Sequence, residues 1–302
     1  MAHQRTKLWI GIGACVFAGS SVAADGTDAR TTGADAGHIT LADASAGGDG
    51  QGGEGGEGGE AAGAFSAFAE GGEGGEGGEG GEGSGAPSAA ESEGVFFTRL
   101  ALIAGQIGSA RALVEAGALE PARGHMRQPA QQQRPELAEA LEQRGLGDVR
   151  AAIEALAEAG ADEANTAADL RAALGTADDA VTSALANMDA AHSEDAAFLA
   201  DVVVAVFKRA RHEYQEAIQD GRFVSAAAYR NGFGYARAGQ QLLREHSATF
   251  ERANEAAFRR MRQQIDTAVA AWPSPTAPDA PAMSVSELYG RISTLEFTAG
   301  QF

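Results

Sequence analysis

From Gly94 onward, apolar positions recur at three- and four-residue intervals, the period of a helix with one buried face. Phe96, Phe97, Leu100, Leu102, Ile103, Ile107 and Leu113 predict a first helix, and Gly117 supplies its stop. A short second helix is expected from Leu119 to Met126, ended by Pro129. Leu137 and Leu141, then Val149, Ile153 and Leu156, mark two more, separated by the joint Gly145, Leu146, Gly147. Leu170, Leu174, Val181, Leu185 and Met188 line another face, interrupted at Gly175. The strongest pattern runs from Glu194 to Gln219, with Phe198, Leu199, Val202, Val203, Val206, Ala210, Tyr214 and Ile218 on one side and Asp220-Gly221 as its end. A helix from Ser225 carries Tyr229, Phe233, Ala236, Leu242 and Leu243, and the next spans Phe250 to Trp272 with Glu255 and Arg259 spaced to pair. Pro273, Pro275, Pro278 and Pro281 read as a linker, after which Ser284 and Glu287 form a capping box for a last helix. No alternating strand pattern competes. The expected fold is all-α, a helical bundle or stacked helical hairpins over residues 94–302, with a sub-boundary near 160–190 and a Pro-rich linker at 273–283.

Before Gly94 the pattern changes character. Arg5 and Lys7 precede the apolar run Leu8 to Ala18, and small residues follow through Ala24, the layout of a secretory signal over residues 1–24. Cleavage after Ala23 or Ala24 is expected, which places the mature chain in the periplasm or outside the cell. The alternative is lipid anchoring at Cys15, because Ile12, Gly13, Ala14 and Cys15 look like a lipobox. Residues 25–93 form an acidic linker in which Glu54, Glu57 and Glu60, then Glu73, Glu76, Glu79 and Glu82, recur every three residues on Gly-Gly spacers. So much glycine costs the most backbone entropy on ordering and offers little apolar surface in return, so a disordered tether is expected. Phe65 and Phe68, between the two arrays, are a candidate docking segment.

Charge follows the same division. Of the net −19, residues 1–24 contribute +2, Asp25 to Glu93 contribute −14 from fifteen acids and one base, and Gly94 to Phe302 contributes −7. A nucleic-acid partner requires a basic footprint, and Arg259, Arg260 and Arg262 are too short a run, too close to acids, to form one. Cys15 is the only cysteine, so a chain cleaved after it has no disulfide, no thiolate nucleophile and no sulfur ligand. No later segment is long and apolar enough for a transmembrane helix.

Candidate chemistry is sparse. There is no H-E-x-x-H helix, Walker loop, dinucleotide fingerprint or G-x-S-x-G elbow, so no enzymatic activity is expected. The densest set of potential ligands is His192, Glu194 and Asp195, with Asp189 a turn upstream; imidazole with carboxylates suits iron or manganese. Ser193 followed by acids is also how a helix N-terminus looks. His125 completes the candidate metal set, while His212 and Glu216 have the spacing of a helical pair.

The stretch from Tyr214 through Asp220, Gly221 and Ser225 to Tyr229 and Phe233 resembles a segment in the periplasmic extension of bacterial high-affinity iron permeases. There a Tyr-bearing helix stops at Asp-Gly, a Val follows, and the next helix opens with Ser or Asn. The layout of signal, Gly-Glu tether and helical domain also resembles a family of secreted proteobacterial proteins. That resemblance implies a histidine after Leu102, Ile103, Ala104 and Gly105, and a second motif with two histidines around Met126 and before Pro129. Here Gln106 and Gln128 stand at two of those places, and His125 at the third, so the chain lacks two of the ligands that the resemblance implies. Together the resemblances imply a periplasmic accessory or binding protein for iron or metal uptake, with iron as ligand and an inner-membrane iron permease or another envelope protein as partner. The residues alone leave a second expectation open, a non-catalytic envelope scaffold on a flexible tether.

Overall fold

A computed structural model describes residues 88–131 and 135–302. The expected signal, Cys15, the Gly-Gly-Glu arrays and Phe65 with Phe68 lie outside the described residues. Within them the fold is all-α: α1 (Glu93–Glu115), α2 (Leu119–Gln131), α3 (Pro135–Gln143), α4 (Gly147–Ala161), α5 (Ala167–Ala186), α6 (Ala190–Ser193), α7 (Ala196–Ala217), α8 (Ala226–Glu245), α9 (Ser247–Val269) and α10 (Val285–Ala299). Two short strands, β1 (Ile218–Gln219) and β2 (Arg222–Phe223), pair antiparallel between α7 and α8.

The helices form two groups that share a central element. α7, α8, α9 and α10 pack in a closed ring, each against the next, as a four-helix bundle. α1, α2, α4 and α5 make a second group, and α1 lies along α8 and α7 as well. This position explains why α1 has no polar face. Sixteen of its 23 residues are buried, from Val95 and Phe96 through Leu100, Ile103 and Ile107 to Val114, and they point in every direction around the axis. A helix surrounded by protein needs apolar side chains all round.

Antiparallel packing brings α1 and α8 unusually close. Ser109 Oγ donates to the Arg230 carbonyl at 2.9 Å, and Gly105 meets Gly234 backbone to backbone. A Cβ on Gly105 would lie 2.9 Å from the Gly234 carbonyl carbon, so both positions require the missing side chain. α7 and α8 are antiparallel too: Asn231 Nδ2 donates to Glu213 at 3.0 Å, and Gly239 faces Phe207 a few turns away.

Caps set most helix starts. Ser92, Thr166, Asp189, Asp195, Ser225 and Ser284 each accept a backbone N–H of the turn that follows, and such a cap contributes ~1 kcal/mol. The reciprocal capping box expected at Ser284 and Glu287 is only half formed. Ser284 Oγ accepts the Glu287 N–H at 3.1 Å, but the Glu287 carboxylate turns outward to Arg291 at 2.6 Å. A full box appears instead at Thr166 and Asp169.

Other boundaries shift for physical reasons. α2 runs through Pro129 to Gln131 rather than stopping before it. Proline there forgoes the bond to the His125 carbonyl, and the helix ends two residues later. α5 passes through Gly175 unbroken. The helix expected over Phe250 to Trp272 is α9, which restarts at Asn254, where φ −159° and ψ 92° are extended. Asn254 Oδ1 caps the new turn by accepting the Ala257 N–H at 3.1 Å, while its Nδ2 donates to the Gln301 carbonyl at 3.2 Å. Asp220-Gly221 ends α7 as expected, but as the two-residue loop of a hairpin in which both residues have positive φ, 51° and 71°. Asp-Gly is a favoured pair for such a turn.

The Pro-rich segment 273–283 has no helix, yet it is pinned at both ends. Tyr229 Oη donates to the Ser274 carbonyl at 2.9 Å and Tyr214 Oη to the Met283 carbonyl at 2.7 Å. Trp272 is buried edge-on against Tyr214, ring centroids 5.0 Å apart. The segment is a strap across the bundle that leads into α10.

Candidate functional site

His192, Glu194 and Asp195 fall at the junction of α6 and α7. Asp189 opens α6 by accepting the His192 N–H at 3.0 Å, and the same oxygen lies 2.8 Å from His192 Nδ1. Those bonds from His192 hold the Asp189 carboxyl below its usual range. The His192 ring rests on Phe198, with centroids 4.5 Å apart. An aspartate at Nδ1 fixes the ring, the arrangement that metal-binding imidazoles commonly have. Asp195 is differently engaged: its Oδ1 accepts the N–H groups of Ala197 at 3.0 Å and Phe198 at 3.2 Å, capping α7. Glu194 is exposed. A helix N-terminus was one expectation for this run of residues, and the caps are the aspartates on either side rather than Ser193.

His125 sits elsewhere, on α2, 2 % exposed. Neither ring nitrogen has a hydrogen-bond partner. Burial, and then the positive charge of Arg230 on α8, push its pKa down to about 4, against a weaker opposing effect of Gln128. The ring is therefore neutral at pH 7. Among the described residues, no three His, Cys, Asp or Glu side chains come together in a group that could hold a metal ion. His212 is half-buried and Glu216 exposed on α7.

One further carboxylate near this end of α7 is perturbed. Burial raises the pKa of Asp201, reinforced by the negative charges of Asp195 and Glu296 and opposed by Lys208. Lys208, itself buried, binds Glu296 of α10 at 2.5 Å, tying α7 to α10.

The interior holds a polar network that sequence reading passed over. Glu213 of α7, 6 % exposed, pairs with Arg209 at 2.8 Å and accepts Asn231 Nδ2 at 3.0 Å. Gln106 of α1 donates to Tyr235 Oη of α8 at 3.0 Å, and burial, then the nearby Glu213 charge, hold that phenol well above its ordinary pKa. The network joins α1, α7 and α8 where the two helical groups meet. Removing one partner of such a pair leaves a buried charge uncompensated, at a cost of ~3–5 kcal/mol. Its signal was present: Glu213 lies seven residues after Val206, on the apolar stripe of α7.

The ring of α7 to α10 defines the class, a four-helix bundle. Residues 189–299 match the family model of the iron permease-associated 4-helix bundle domain. The match takes in α6 through α10 and includes the 214–233 segment on which the sequence resemblance rests; α1 to α5 lie outside it. Searches of the curated proteins and of the solved structures gave no match.

Proposed function

We propose that this chain is an exported, non-catalytic accessory protein of iron uptake that works beside an inner-membrane iron permease, with α7 to α10 as the module that engages the iron pathway. The observation that carries this reading is the match of residues 189–299 to the iron permease-associated 4-helix bundle domain. The secretory layout of residues 1–24 supports a periplasmic site of action. No helix among the described residues is long and apolar enough to cross a membrane. In this reading contact with a permease runs through the bundle surface. In this reading iron is cargo: His192, oriented by Asp189, is the point of contact at the α6–α7 junction, Asp195 is taken up by the cap of α7, and neutral His125 is a separate imidazole within the N-terminal group.

A second reading, an envelope interaction scaffold without iron contact, draws on α10. Tyr289 and Phe297 stand 54 % and 76 % exposed there, although large apolar side chains elsewhere are mostly buried. One experiment separates the two. In a deletion strain grown under iron chelation, uptake of radioactive iron is expected to fall several-fold and to return with the intact chain but not with His192→Ala. Unchanged uptake on deletion contradicts the iron reading and leaves the scaffold.

A further inference from the structure

Tyr289 and Phe297 stand out into solvent from α10, and among the described residues Val224 is the one other large apolar side chain that does so. The same bundle buries Tyr214, Tyr229 and Trp272 almost completely. Arg211 of α7 lies over the Tyr289 ring, 4.4 Å from its centroid, and holds it in place. The surface around the two rings is electrically balanced although the chain carries −19. All three charged residues of α10 are paired: Glu287 with Arg291 at 2.6 Å, and Glu296 with Lys208 of α7 at 2.5 Å.

The outer face of α10 has its own symmetry. Ser286, Ser293 and Gly300 are exposed and follow at seven-residue intervals, a spacing that drifts only ~20° per step and so makes a nearly straight line of small residues. Tyr289 and Phe297 lie four residues before and after Ser293, ~6 Å along the axis in each direction and ~40° to opposite sides of that line. Gly290 is on the same side of the line as Phe297, ~60° away from it, and a Cβ built there would meet nothing within 4 Å.

We propose that this face joins two copies of the chain, α10 packing antiparallel on α10 about a twofold axis at Ser293. Such an axis sets residues before Ser293 opposite residues after it. The Phe297 ring of each copy then falls level with Tyr289 of the other, on the side of the seam where Gly290 leaves room for it. The contact is made twice, which is the self-complementarity that a twofold interface demands, and the line of small residues lets the two helices approach closely. Area fixes the strength. With ~150–250 Å² to an aromatic side chain, the exposed parts of the two rings come to roughly 250 Å² a copy. The surface between them brings the total for both copies to ~1,000 Å², the lower end for a specific interface. The dimer is therefore a weak one, with a dissociation constant of ~10–100 µM.

Sedimentation velocity of the purified chain over a concentration series should show monomer passing to dimer across that range. Phe297→Asp should abolish the dimer, and Gly290→Leu should weaken it at least tenfold by filling the place of the incoming ring. Both positions are exposed, so helicity by circular dichroism should be unchanged. Geometry is read with single cysteines in a Cys15→Ser chain: Ser293→Cys should oxidise to a linked dimer, and Ser286→Cys, ~10 Å from the axis, should not. A chain that stays monomeric throughout overturns the proposal, as does a dimer indifferent to both substitutions or one linked equally well through either cysteine. A monomeric chain whose binding to the purified permease is lost in Phe297→Asp also overturns it, and assigns the face to the permease.

Discussion

Gly234→Ala is expected to lower the stability of the chain by about 3 kcal/mol, near the upper end for an overpacked interior, read as a shift in the urea midpoint. The reason lies in the close approach of α1 and α8. The added methyl group would lie 2.8 Å from the Gly105 carbonyl carbon and 3.1 Å from Ser109 Cβ, and closer still to the Gly105 carbonyl oxygen. Backbone cannot rotate away as a side-chain tip can, so the helices must separate. Separation strains the Gln106–Tyr235 and Ser109–Arg230 bonds in the same interface. Gly108, three residues further along α1, is exposed, and a methyl group added there would meet nothing within 4 Å. Gly108→Ala should therefore raise stability by ~0.5–1 kcal/mol through helix propensity alone. Equal effects from the two substitutions would mean that α1 and α8 are not in backbone contact.

Acidification is expected to destabilise the chain through His125. The ring is buried beside Arg230 with a pKa near 4, against an ordinary value of 6.5. The unfolded chain thus binds the proton more readily than the folded one. Stability from this residue is complete above pH ~6.5 and declines as the pH falls toward ~4, with roughly 2 kcal/mol lost by pH 5. Other groups titrate over the same range, and His125→Leu isolates the contribution: its stability should fall less between pH 7 and pH 5 by that amount. An identical pH dependence in the two proteins would show that the imidazole is not held neutral.

The helices were legible because their apolar positions were regular. Phe198 to Tyr214 predicted α7, and Ser225 marked the start of α8 as its cap. What the pattern hid was set by tertiary packing. α1 looked like the other helices, yet its burial on every side makes it the element common to both groups, a role that depends on which neighbours surround it. The Asn254 restart depends on a partner at Gln301, 47 residues away, so no local window could show it. At the candidate site the sequence grouped His192, Glu194 and Asp195 by adjacency. The fold gives them different tasks, orienting His192 through Asp189 and committing Asp195 to the cap of α7. His125 lies on α2, and its distinguishing property, an unpartnered ring beside Arg230, comes from a residue 105 positions later in the chain.

The central claim, that α7 to α10 engage an iron permease, is tested most directly by titrating the purified permease from the same cells, held in lipid nanodiscs, with the purified chain. Saturable binding at micromolar concentration or tighter is predicted. Absence of saturable binding, with the chain folded and the permease active, would contradict the account.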